Sequence, residues 1–221
     1  MAGDTPLVMI GSELGYNAGQ LGNDWEDKTS IFYHKPYKGI TDFGHISIEV
    51  DGIVYNFGRY DPNATWGLLR SKGDAIYVEA DRSKYLNMYE KKQDFVEYEL
   101  NFTREEEQKI KEFFKKIQES NRGTYEIKWA KNNRGVRLNK KYDYDLLGRN
   151  CTTITIVAIN SSTKDVNLVY EISPSGLKSY LDLRQQAERN GGLMLGSQYN
   201  REPYTLKRKI IKNVVIHKKK N

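Results

Sequence analysis

Two short segments of alternating polarity, Gly44-His45-Ile46-Ser47-Ile48-Glu49-Val50 and Ile53-Val54-Tyr55-Asn56-Phe57-Gly58, are separated by Asp51-Gly52 alone, and no other feature restricts the fold of this chain so tightly. Asp-Gly supplies the two positive φ angles that a two-residue hairpin turn needs, so the segments predict a pair of antiparallel strands. With Asp51 and Gly52 as the loop, Val50 faces Ile53, and counting back sets His45 opposite Gly58. Strand alternation then puts His45, Ser47 and Glu49 on one face, with Asn56 diagonally across from His45 on that same face. The placement depends on register, because a slip of one residue carries Asn56 to the other side.

Residues 31–34, 75–79 and 95–100 alternate in the same way and predict further strands of one antiparallel sheet. Thr103-Arg104-Glu105-Glu106 is a capping box, and Ile110, Phe113, Phe114 and Ile117 follow at three- and four-residue spacing, so a helix packs its apolar stripe on that sheet. Ser173-Pro174 opens a second helix that stops at Gly191-Gly192. Residues 207–220 alternate basic and apolar side chains, which predicts a final strand with a basic tail. The fold class is therefore α+β, an antiparallel sheet packed against helices, and 221 residues suit a single domain over 1–221. Residues 11–28 read as loop, and residues 121–141, rich in Arg and Lys around Trp129, read as a basic insertion.

Cys151 is the only cysteine, which excludes an intramolecular disulfide framework. With three scattered histidines it makes no zinc-ligand spacing, so neither a metal nor a cofactor is expected. The residues Asn150-Cys151-Thr152-Thr153 end a polar loop and enter an apolar run, placing Cys151 at a helix start, where unpaired N–H groups and the helix dipole favour a thiolate. A thiol nucleophile needs a base. His45 sits in a patterned hairpin with Asn56 in reach to orient its ring, whereas His34 reads as an ordinary strand or surface residue and His217 lies in a terminal strand without polar pattern. Glu49, Asp42 and Tyr60 are the alternatives for the orienting role, and Asp145 and Asn150 suit loop shaping.

The net charge is +6, but the basic residues are dispersed and no nucleic-acid motif accompanies them, so a solvated basic surface is expected and no specific nucleic acid partner. The first residues lack the basic start and apolar run of a secretory signal, and no stretch approaches a membrane span. A protein made in the cytoplasm without a signal would need a dedicated machine for export.

A histidine after Gly44 at the start of a hairpin, Asn56 about a dozen positions later and the downstream Asn150-Cys151-Thr152-Thr153 together resemble the circularly permuted branch of NlpC/P60, papain-like cysteine hydrolases, in which the cysteine helix follows the histidine hairpin. The wording is similar in particular to peptidoglycan amidase effectors of type VI secretion. The resemblance implies a papain-like NlpC/P60 fold, circularly permuted, with Cys151, His45 and Asn56 as a catalytic set. It further implies a thiol hydrolase that cleaves amide bonds in peptidoglycan stem peptides, an antibacterial toxin acting in a target periplasm, and a cognate immunity protein. The same permuted fold resembles lecithin:retinol acyltransferase-like enzymes, whose thioester carries a fatty acyl chain; a non-catalytic binding module on this fold is the remaining alternative.

Overall fold

In the computed structural model the residues described are 28–36, 43–59, 72–91, 93–127, 133–163, 168, 171–191, 193–194, 204–205 and 208–220. In chain order the elements are β1 (Thr29–His34), β2 (His45–Val50), β3 (Ile53–Gly58), β4 (Lys72–Gly73), β5 (Ile76–Asp81), α1 (Arg82–Glu90), β6 (Phe95–Leu100), α2 (Arg104–Gln118), β7 (Asn121–Thr124) and β8 (Arg134–Leu138). They continue with β9 (Tyr144–Asp145), α3 (Cys151–Ser162), α4 (Pro174–Arg189), β10 (Leu193–Met194), β11 (Tyr204–Thr205) and β12 (Ile211–His217).

The Asp-Gly turn forms as its chemistry demands, with φ of 49° at Asp51 and 76° at Gly52. Val50 pairs with Ile53, the predicted register. Around this hairpin an antiparallel sheet assembles in the order β12-β6-β1-β2-β3-β5-β8-β7. The α+β class with an antiparallel sheet and packed helices is thus what the chain adopts.

Alternation divides the sheet into two faces. Ile31, Ile46, Ile48, Val50, Tyr55 and Phe57 point to the larger core, which is closed by Ile110, Phe114 and Ile117 of α2, Ile154, Ile156 and Ile159 of α3, and Leu177 and Leu181 of α4. Phe32, Val54, Ala80 and Phe95 point the other way, onto Tyr85 and Tyr89 of α1. The helix over residues 104–118 carries the predicted capping box, with Thr103 and Glu106 exchanging side-chain and backbone bonds. Helix α4 starts from Ser173, whose hydroxyl accepts the Gly176 N–H, with Pro174 in its first turn.

The described part of the basic segment 121–141 contributes two strands to the sheet, β7 and β8, with Val136 and Leu138 buried and Arg134 and Arg137 facing solvent. The charges on the outer face masked that alternation. Residues 11–27 and Trp129 lie outside the described residues.

Candidate active site

Cys151 is the first residue of α3, and Asn150 is its N-cap. The Asn150 side-chain oxygen accepts the N–H groups of Thr152 and Thr153 at 2.9 and 3.0 Å, and its own N–H donates to Thr153 Oγ1 at 2.9 Å. The side-chain nitrogen of Asn150 donates to Leu146 O at 2.7 Å and Ile172 O at 2.8 Å. One side chain therefore ties the helix start to the loop before it and to the segment leading into α4, the loop-shaping role its residue type suggests. None of these bonds uses the Cys151 N–H, which stays at the helix terminus beside the thiol.

His45 opens β2. The paired residues of β2 and β3 run from Val50–Ile53 only as far as Ile48–Tyr55, whereas β3 stays paired with β5 to Gly58–Ile76. Beyond the last pair Cys151 takes the place of the missing strand partner. The Ile46 N–H donates to Cys151 Sγ, and His45 is hydrogen-bonded to the same sulfur. On its other side His45 Nε2 lies 2.7 Å from Asn56 Oδ1, which leaves Nδ1 as the nitrogen that faces the thiol. The structure brings Cys151, His45 and Asn56 into one line of contacts.

Each of the two groups shifts the other toward its charged form. Burial pushes the Cys151 thiol up, but the His45 charge and hydrogen bond, the Ile46 N–H and the Thr152 hydroxyl outweigh it and hold the thiol below its ordinary value. Burial pushes His45 down, and the Cys151 thiolate with the bonds to Cys151 and Asn56 raises it above its ordinary value. A thiol lowered and an imidazole raised by each other is the direction of shift that activates a cysteine nucleophile. Both residues are buried, Cys151 5% and His45 8% exposed.

Around the pair, Tyr144 of β9 lies face to face with Phe57 at a centroid distance of 6.2 Å and is within electrostatic reach of Cys151, Arg59 and Asp145. Gly73, across from Tyr144 in the β4–β9 pair, has no side chain because Arg59 occupies that space: a Cβ there would meet Arg59 Nε at 2.8 Å. Three exposed apolar residues lie in segments that adjoin the site's residues along the chain or through Asn150. Phe43 precedes Gly44-His45, Leu147 follows the carbonyl that Asn150 holds, and Ile172 offers the other carbonyl that Asn150 holds.

The remaining candidates separate cleanly. Glu49 is on the His45 face, as the alternation requires, but its carboxylate is engaged by Gly52 N–H and by Arg82. Asp42 and Tyr60 lie outside the described residues. His34 is no surface residue; it is fully buried and stacked on Tyr89 at 3.8 Å. His217 does have polar company, with Nε2 2.8 Å from Glu97 Oε2. Among the described residues no three His, Cys, Asp or Glu side chains converge as metal ligands. The partners that the residue pattern did not reveal are Tyr85 and Tyr89, since α1 buries Arg82, Tyr85 and Tyr89 and has no apolar stripe to announce it.

Residues 29–187 match the family model described as the Lnb N-terminal periplasmic domain. The chain belongs to that family. The match begins at the first residue of β1, ends within α4 and contains Cys151, His45 and Asn56. No curated protein matches the chain. No solved structure matches it either. The family description places the Lnb N-terminal domain in the periplasm, and no helix among the described residues is long and apolar enough to cross a membrane.

Proposed function

We propose that this Lnb N-terminal domain is a thiol-dependent acyl-transfer enzyme of the permuted NlpC/P60 type that works in the periplasm. The observation that carries the reading is the chain Cys151–His45–Asn56, with one ring nitrogen of His45 on the thiol and the other on the amide oxygen. In the reaction, His45 Nδ1 takes the thiol proton and the thiolate attacks an acyl carbonyl. The Cys151 N–H at the helix start, with its dipole, stabilises the oxyanion. Collapse of the tetrahedral intermediate expels the leaving amine or alcohol, protonated by His45, and leaves a thioester on Cys151. Water, or an acceptor amine, then attacks the thioester and restores the thiol.

The resemblance favours an amide of a peptidoglycan stem peptide as the acyl donor, and membership of a periplasmic family agrees with a cell-wall site of action. Delivery into a rival cell and an immunity partner rest on the resemblance alone. One observation favours a second donor. Phe43, Leu147 and Ile172 are exposed large apolar residues in segments joined to His45 along the chain or to the Cys151 helix start through Asn150, and exposed apolar side chains of this kind suit a fatty acyl ester of the lecithin:retinol acyltransferase-like kind better than a sugar-linked peptide.

Intact-protein mass spectrometry separates the readings. The wild type and Cys151→Ala are incubated with purified muropeptides and, in parallel, with phospholipid vesicles, then weighed. Added mass that requires the thiol identifies the acyl group: a peptidyl increment supports the amidase, a fatty acyl increment the acyltransferase. With no adduct and no thiol-dependent product from either donor, the enzyme reading is wrong.

A further inference from the structure

Two threonines follow Cys151 on α3, both buried, and their hydroxyls are used differently. Thr153 Oγ1 accepts the Asn150 N–H at 2.9 Å and donates to Asn150 O at 3.2 Å, so the capping box accounts for it. Thr152 has no part in that exchange beyond its backbone N–H, which Asn150 Oδ1 accepts at 2.9 Å. Its side chain is fully buried, and among the described residues the one hydrogen-bond partner of its hydroxyl is Cys151 Sγ, at 3.9 Å. A hydroxyl buried in an apolar helix costs free energy that a valine of nearly the same shape avoids, unless a bond offsets it. The nucleophile is the group in place to make that bond.

We infer that Thr152 is a further catalytic residue, whose hydroxyl donates to Cys151 Sγ and holds the sulfur in its charged form. The direction of the bond follows from the chemistry of sulfur. A neutral thiol is a weak donor and a weak acceptor, so whichever way the hydrogen points the contact contributes little. A thiolate has no hydrogen to give and accepts strongly, so the contact then runs from Thr152 to the sulfur and gains from the charge. That difference between the two states shifts the balance toward the thiolate. The Ile46 N–H and His45 also point at the sulfur, but the proton His45 takes from the thiol departs with the leaving group, whereas the Thr152 hydrogen stays. When water attacks the thioester, the C–S electron pair returns to sulfur and the water proton goes to His45. Thr152 therefore acts twice, keeping the sulfur ionised before attack and receiving the charge that returns to it on release. The inference rests on the proposed role of Cys151 and His45 and adds a residue that touches the reacting sulfur.

The test reads the thiolate directly, by its ultraviolet absorbance in a pH titration with Cys151→Ala as the blank, so that no reagent has to enter the buried site. Wild type is compared with Thr152→Val, Thr152→Ser and His45→Ala. Loss of a donor to the charged form moves the midpoint upward, and for a bond this long the expected displacement in Thr152→Val is about half a pH unit, a roughly threefold lower ratio of thiolate to thiol. Thr152→Ser keeps the hydroxyl and should titrate with the wild type. If both variants are displaced alike, the effect belongs to packing and the inference is overturned. A wild-type midpoint in Thr152→Val overturns it as well, and displacement of His45→Ala in the same series then leaves the proposed site standing. If His45→Ala titrates with the wild type, the thiol–imidazole pair itself is absent and both fall. Should Thr152→Val not fold, Thr152→Ala is set against Thr152→Ser: a higher midpoint in the alanine variant supports the inference, and equal midpoints overturn it.

Discussion

Gly44 shows how a single missing side chain aims the base. Its φ is +79°, and a Cβ there would meet the His34 carbonyl oxygen at 3.0 Å and Pro174 Cβ at 3.4 Å. The backbone must pass this close to β1 and α4 for His45 to enter β2 at the point where the ladder to β3 has ended. Gly44→Ala should therefore cost on the order of 1–3 kcal/mol, measured by urea unfolding, and slow Cys151 alkylation as His45 shifts. Unchanged stability together with unchanged alkylation would refute this account of the glycine. Asn150 acts on the nucleophile in the same way. Asn150→Ala removes the acceptor of two helix N–H groups and the donor to two carbonyls, and the expected loss is ~2 kcal/mol, at the upper end for an N-cap. The matching Thr103→Ala change at α2 removes one cap acceptor and should cost ~1 kcal/mol; equal losses at the two caps would mean that the carbonyl contacts of Asn150 contribute nothing.

Among the elements, legibility followed the chemistry of each signal. The hairpin register, the face shared by His45 and Asn56 and the start of α3 at Cys151 were all readable, because an Asp-Gly turn, period-two alternation and an Asn N-cap are local devices whose geometry is fixed by a few residues. The helices at Thr103 and Ser173 were readable for the same reason. Helix α1 was not. Its N-cap Asp81 makes no side-chain cap bond, and its inward stripe is Arg82, Tyr85 and Tyr89, polar and aromatic side chains chosen to meet the buried polar groups of the sheet. Strands β7 and β8 were hidden by outward-facing arginines paired across to Asp74 and Glu79. The contact between Cys151 and His45 could be anticipated only through the resemblance, since 106 positions separate the two and no local pattern encodes where β2 parts from β3.

At the scale of the molecule, a buried ionic cluster joins five elements across the smaller core. Glu97 of β6 accepts from Arg82 of α1 at 2.7 Å and Ser30 of β1 at 2.8 Å and meets His217 of β12, while Glu49 of β2 accepts from the same Arg82 at 3.1 Å. One guanidinium thus serves two buried carboxylates, and their environments push them apart. Burial raises Glu97, yet the bonds from His217, Arg82 and Ser30 overcome it and bring the group down to about 2. Burial raises Glu49, the Glu97 charge adds to that, and the Arg82 and Gly52 contacts recover only part, so Glu49 titrates at about 7. The two act on stability with opposite sign. Glu97, lowered, contributes stability that is present above the ordinary carboxylate range and is lost as the pH falls toward 2. Glu49, raised, binds its proton more tightly in the folded than in the unfolded chain, so stability declines as the pH rises from the unfolded value of 4.5 through about 7. Unfolding free energies of wild type and Glu49→Gln measured at intervals from pH 4 to pH 8 should diverge in slope, the wild type losing up to ~3 kcal/mol relative to the variant across that range. The comparison cancels the titration of Cys151, His45 and Glu97, which both proteins share, and a constant difference across the range would show that Glu49 keeps its charge throughout and that Arg82 neutralises both carboxylates at once.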